Sequence, residues 1–254
     1  PACVLANEPI TIYGVPNISD VRSLIVLLRE LGVNVEEKEE GTLYIDPTNM
    51  KNTPLISDAA TKLRASYYFM GALLGKYGHA EIRMPGGCYL GPRPINLHIK
   101  GFEALGAHVD YENGCYILHA DRLVGTNIFL DISSVGATIN IMLAAVYAQG
   151  RTIIENAARE PEIIDIATLL NKMGARIHGM GTSTITIDGV DSLKGCIHEI
   201  IPDRIEAATY IIMGAAMGTD MRVENVIPQH LDAIIMKLRE IGINMEVGSD
   251  SSTS

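Results

Sequence analysis

The sequence predicts an α/β protein assembled from a repeated unit of about 70 residues, and three observations carry that prediction. An apolar residue followed by glycine recurs at Leu31-Gly32, Leu105-Gly106, Met173-Gly174 and Ile241-Gly242, with the glycines 74, 68 and 68 residues apart. Ahead of each glycine runs the one-sided apolar stripe of an amphipathic helix, with Leu28, Phe102, Leu170 and Leu238 four residues before it and Ile25, Ile99, Ala167 and Ile235 seven before. A second kind of helix alternates with the first and ends near Asn7, Gly78, Gly150 and Gly218, at spacings of 71, 72 and 68.

The remaining elements follow in order. After each second-type helix comes a stretch of β-forming residues, Ile10–Tyr13, Ala80–Met84, Thr152–Glu155 and Met221–Glu224. After the glycine-capped helices come Thr42–Asp46, Cys115–His119 and Thr184–Asp188. The unit therefore reads helix, strand, helix, strand, strand. Fourteen residues before the second-type endings stand Arg64, Gly136 and Arg204, each at a helix start. The same offset taken from Asn7 falls ahead of Pro1, and the segment after Gly242 trails into Ser251–Ser254, so the chain reads as a fragment holding about three and a half copies.

Composition narrows the partners. With 47% apolar and 20% charged residues, the 254-residue chain can bury a core. Twenty Lys and Arg against 30 Asp and Glu give a formal charge of −10, which leaves no diffuse positive field for nucleic acid. An anionic small substrate would have to be held by a few placed cations and by backbone N–H groups at helix starts. No apolar run reaches the ~18 residues of a membrane span, and no basic leader precedes the first element. The cysteines, Cys3, Cys88, Cys115 and Cys196, are spaced 85, 27 and 81 residues apart without a Cys-x-x-Cys pair, which suits reduced thiols in the cytoplasm and predicts no metal site. No cofactor is expected.

Three places could carry chemistry. Met84-Pro85-Gly86-Gly87-Cys88-Tyr89-Leu90-Gly91-Pro92-Arg93-Pro94 fits no periodic element, and a thiol in an open glycine-rich loop beside a cation has the setting that lowers a cysteine pKa. Arg64 opens a helix, where its guanidinium can join free backbone N–H groups facing an anion. Ser133-Ser134-Val135-Gly136-Ala137-Thr138 is a helix-capping signal whose hydroxyls and amides suit phosphate, and Asp203 reads as the cap of the helix at Arg204. His98 reads as a packed or solvated histidine, and Cys3, Cys115 and Cys196 as small apolar residues.

Leu63-Arg64-Ala65-Ser66, the Cys88 loop, Ser134-Val135-Gly136-Ala137-Thr138, Glu155-Asn156-Ala157-Ala158-Arg159-Glu160-Pro161-Glu162 and Pro202-Asp203-Arg204-Ile205-Glu206 occur in that order, and together they resemble the enolpyruvyl transferases that act on UDP-N-acetylglucosamine. The sister family acting on shikimate 3-phosphate shares the repeat but not the cysteine loop. The resemblance implies an inside-out α/β barrel of βαβαββ repeats, three to a domain, with the active site between two domains. It places the first domain at residues 1–201 and the opening of a second at 202–254. It implies transfer of enolpyruvyl from phosphoenolpyruvate to the sugar 3′-hydroxyl with release of phosphate, in peptidoglycan precursor synthesis.

By motif match, Cys88 is implied as the general acid that also forms a covalent phosphoenolpyruvate adduct and reacts with fosfomycin. Arg64 and Arg93 are implied as substrate cations. Arg93, Pro94, Ile95, Asn96 and Leu97, together with Ser133, Ser134, Val135 and Gly136, are implied at the uridine nucleotide, and Asp203 at the substrate. Asn96 stands where the family carries an aspartate, and Ile132 where it often carries lysine. The competing reading is a catalytically inactive relative that serves as a nucleotide-sugar-binding or interaction scaffold.

Overall fold

The computed structural model describes residues 1–39, 41–84, 86, 94–218 and 220–248. They divide into two compact units, Pro1–Ile200 and Ile201–Ser254.

The first unit opens on a buried 3₁₀ turn, Ala2–Leu5, followed by β1 (Ile10–Tyr13), α1 (Ser19–Glu30), β2 (Asn34–Glu37) and β3 (Leu43–Asp46). Next come α2 (Asp58–Lys62), a 3₁₀ turn over Arg64–Tyr67, α3 (Tyr68–Tyr77), β4 (His79–Arg83), α4 (Asn96–Ala104), β5 (His108–Glu112) and β6 (Cys115–His119). The third copy comprises β7 (Asn127–Phe129), α5 (Val135–Ala145), β8 (Arg151–Glu155), α6 (Pro161–Lys172), β9 (Arg176–His178) and β10 (Thr184–Asp188), and β11 (Ile197–Glu199) closes the unit.

These strands form three sheets of one design, ordered β11-β1-β3-β2, β4-β6-β5 and β7-β8-β10-β9. In each, the strand after a central helix pairs antiparallel with the second strand of the following hairpin and parallel with a short segment on its other side. That segment is β11 for β1, β7 for β8, and Leu55, bridged to Ile82, for β4. The βαβαββ unit is thus visible three times.

The two helix types differ in where they can sit. α5 is apolar all round and every one of its residues from Gly136 on is buried, and α3 buries Phe69 through Leu74. A helix without a polar face belongs inside, so α3, α5 and the 3₁₀ turn at the start form the centre, and the sheets lie outside them. α1, α4 and α6 keep one polar face. Each ends on its predicted glycine in the left-handed conformation, at φ +76° for Gly32, +97° for Gly106 and +106° for Gly174. The next residue's N–H then donates back to a carbonyl of the last helical turn: Val33 to Leu28, Ala107 to Phe102, Ala175 to Leu170, each at 3.0 Å.

The central helices pack backbone to backbone. A Cβ on Gly71 would lie 2.2 Å from the carbonyl oxygen of Asn140, and one on Gly75 2.8 Å from that of Leu143. Buried Asn140 serves both helices: its Oδ1 accepts the Gly71 N–H (3.0 Å) and its Nδ2 donates to the Gly136 carbonyl (3.3 Å). Lys76 donates to the carbonyls of Val4 (2.7 Å) and Ala6 (2.6 Å), and the Tyr147 hydroxyl donates to that of Leu5 (2.6 Å). The opening turn is thereby tied to α3 and to the end of the α5 segment, supplying partners that a 3₁₀ turn lacks.

The second unit holds α7 (Arg204–Met217), a 3₁₀ turn over Pro228–His230, and α8 (Asp232–Glu240). α8 ends on Gly242 at φ +94°, with Ile243 N–H donating to Leu238 at 3.0 Å, as in the three earlier copies. The expected strand at Met221–Glu224 does not form. A strand is held by a ladder to a neighbour, and the described residues of this unit supply none; instead Met221 lies against Gly214 of α7.

Candidate functional site

Three helix starts meet on the first unit. The 3₁₀ turn leading into α3 carries Arg64 and Tyr67, the first turn of α4 carries Asn96, Leu97 and His98, and α5 begins after Ser134. The Ser134 hydroxyl accepts the Ala137 N–H at 3.3 Å, so the predicted cap forms. Gly136, in the first turn, is where the elements touch: a Cβ there would lie 2.4 Å from the Tyr67 hydroxyl and 2.8 Å from Nε2 of His98. Only a residue without a side chain lets those two groups reach the start of α5.

Tyr67 links the others. The Arg64 guanidinium lies 5.4 Å from its ring centroid, the His98 imidazole meets it edge-on at 5.1 Å, and Tyr68 stacks on it at 4.4 Å. Arg64 and Gly136 are therefore neighbours of the same tyrosine, and Asn96 stands exposed two residues from His98.

His98 is 4% exposed, and among the described residues no group meets either ring nitrogen in good hydrogen-bond geometry. Burial, reinforced by the Arg64 charge and opposed by the nearby Ile95 backbone, pulls its pKa down to about 4. The imidazole is neutral near pH 7 and presents one donor and one acceptor. Because its folded pKa lies below the unfolded value, its contribution to stability is present above pH ~6.5 and is lost as pH falls toward 4. Burial and the neighbouring Tyr67 raise the Tyr68 pKa, with Arg64 opposing, so Tyr68 stays uncharged beside the cation.

The motif Glu155–Glu162 is fixed to the same place. Asn156 takes a left-handed turn at φ +55° and donates to the Leu130 carbonyl at 2.8 Å. Two residues on, Ala158 N–H donates to the buried Thr138 hydroxyl of α5 at 3.0 Å. Lys100 of α4 reaches Asp131 (2.7 Å), just ahead of Ser133 and Ser134; both ends are exposed, so this pair orients more than it stabilises.

Of the other predicted residues, Pro94 and Ser133 are exposed, Ile95 is buried, and Leu97 and Val135 are half-buried. Cys88 and Arg93 lie outside the described residues. Asp203 caps α7 in the second unit, accepting the N–H groups of Ile205 (2.8 Å) and Glu206 (3.2 Å). Cys3 and Cys115 are buried and Cys196 half-buried, in keeping with their packing role. A cavity of about 260 Å³ lies elsewhere, lined by Val15, Arg22 and Lys38 among others, and does not touch the Tyr67 cluster. Sequence reading missed Tyr67 and set His98 aside; the available signal was the glycine at the start of α5.

The profile of the family described as EPSP synthase (3-phosphoshikimate 1-carboxyvinyltransferase) matches residues 2–254. The chain belongs to this family. Among its relatives, "UDP-N-acetylglucosamine 1-carboxyvinyltransferase 2" of Bacillus anthracis is 62% identical over 253 residues, covering 100% of this chain and 59% of its own length. The protein of the same name from Bacillus subtilis (strain 168) is 59% identical over 98% of this chain and 58% of its own. The chain thus spans about 59% of the length of the curated relatives it matches. The enolpyruvyl transferase NikO from Streptomyces tendae superposes with a TM-score of 0.82 at 23% identity, over 98% of this chain and 60% of that one. EPSP synthase from Acinetobacter baumannii gives 0.71 at 22% identity, over 94% and 55%. These two share the EPSP synthase family's α/β fold with this chain.

Proposed function

We propose that the first unit is the nucleotide-sugar-binding part of an enzyme that transfers enolpyruvyl from phosphoenolpyruvate to the 3′-hydroxyl of UDP-N-acetylglucosamine, releasing phosphate, in cytoplasmic synthesis of peptidoglycan precursors. The observation that carries this reading is the 62% identity, across the whole chain, to relatives bearing that enzyme's name. The same observation favours it over an inactive scaffold.

Chemistry at the cluster agrees with the reading. A diphosphate needs positive charge and N–H donors, and in a chain of net charge −10 these must be local. Arg64 supplies charge, and the start of α5, where the Val135 and Gly136 N–H groups precede the first helical hydrogen bond, supplies donors. Neutral His98, its ring nitrogens buried, backs the site without adding a second charge. In this reading Arg93–Leu97 and Ser133–Gly136 contact the nucleotide, and Asp203 belongs to the substrate site. Cys88 protonates the enolpyruvyl carbon, forms the thiol adduct and is the fosfomycin target, which ties the enzyme to cell-wall growth and division.

Calorimetric titration of UDP-N-acetylglucosamine into the chain tests the proposal. Saturable binding is expected, and Gly136→Ala, whose methyl group displaces Tyr67 and His98, should weaken it roughly tenfold. Absence of saturable heat, or equal binding by both proteins, contradicts it.

A further inference from the structure

We propose that Tyr67 is a positioning residue, whose ring, packed between Arg64 and His98 at the start of α5, holds Arg64 in one geometry toward a bound nucleotide sugar. The inference rests on the function proposed above for this site.

The ring is 8% exposed, too covered to be a main ligand contact itself. Of its neighbours, half-buried Arg64 is the group that would meet the ligand, and buried His98 backs the ring from the other side. Arg64 lies 5.4 Å from the ring centroid, and the His98 imidazole meets the ring at 5.1 Å with the planes 79° apart. Its hydroxyl occupies the space that a side chain at position 136 would need. Arginine has many rotamers, and one held by its stacking on a ring loses less freedom when it binds an anion. The His98 ring is enclosed, and its edge-on packing against Tyr67 sets its plane beside the start of α5. The charged and titratable groups around this packing are Arg64 and Tyr67 on the 3₁₀ turn, Tyr68 on α3, and Glu162 of α6, which acts on Tyr68.

The test uses NMR of the His98 ring in the 254-residue chain, read against pH and against added UDP-N-acetylglucosamine. Tyr67→Leu removes the ring and keeps an apolar side chain. It should raise the His98 titration midpoint from about 4 toward the unperturbed value and increase the ligand needed for half-saturation roughly tenfold. Tyr67→Phe keeps the ring and should leave both readouts near wild type. Leu74→Ala, at the far end of α3, controls for a general loss of stability: it should lower the melting temperature while leaving the His98 midpoint unchanged. The proposal is overturned if Tyr67→Leu moves neither readout, or if Tyr67→Phe moves both as far. If the wild-type His98 signals do not respond to the nucleotide sugar, the ligand reading fails, and the pH titration alone still decides whether Tyr67 positions His98.

Discussion

The 254-residue chain on its own is expected to release no phosphate from phosphoenolpyruvate and UDP-N-acetylglucosamine above background. Joined to the segments of the Bacillus anthracis relative that lie outside the matched 59%, it should turn over at least roughly a thousandfold faster. Catalytic groups that act as a unit lose most of their effect together when some are removed. The second unit gives a structural reason for the same expectation. At the repeat position where α3 and α5 are buried, α7 exposes Ile205, Tyr210, Ile212, Met213 and Met217. An apolar helix face of this kind calls for a covering surface. A coupled phosphate assay on both proteins decides the matter, and comparable turnover by the chain alone would refute the expectation.

Gly71→Val should destabilise the first unit by more than about 3 kcal/mol, a fall of roughly 10 °C in melting temperature. The added Cβ would meet the Asn140 carbonyl oxygen at 2.2 Å, and because that atom is backbone at the crossing of two buried helices, relief requires moving a helix. The shift would also strain the Asn140 hydrogen bonds to Gly71 and Gly136. Gly174→Ala provides the contrast. Among the described residues nothing lies within 4 Å of its Cβ position, so only the left-handed φ of +106° is penalised, at about 1 kcal/mol. Thermal melts followed by circular dichroism measure both. A Gly71→Val protein melting within about 3 °C of wild type, the shift that about 1 kcal/mol produces in a domain of this size, would show that the crossing can open.

The sequence was most informative where a local rule sufficed. Gly32, Gly106, Gly174 and Gly242 could be recognised as helix ends because each follows a stripe of period ~3.6 and only glycine adopts the needed φ freely. Ser134 and Asp203 were recognisable as caps for a similar reason: a short oxygen-bearing side chain ahead of a helix has one main use. Prediction failed at Met221–Glu224, where β-forming residues find no strand to pair with among the described residues. At His98 it left packed and solvated readings open, since nothing local distinguishes a solvated histidine from one that Tyr67 and the start of α5 enclose. That enclosure joins positions 67, 98 and 136, which only the packing of the central helices brings together.

The measurement that bears most directly on the account is a competition. The chain completed with the Bacillus anthracis segments is given phosphoenolpyruvate and equal amounts of UDP-N-acetylglucosamine and shikimate 3-phosphate, and the products are identified by mass spectrometry. The account predicts enolpyruvyl on the nucleotide sugar alone, and its loss when Arg64→Ala is introduced into this chain's portion. Enolpyruvyl shikimate phosphate as the main product, or unchanged product in the Arg64→Ala protein, would contradict it.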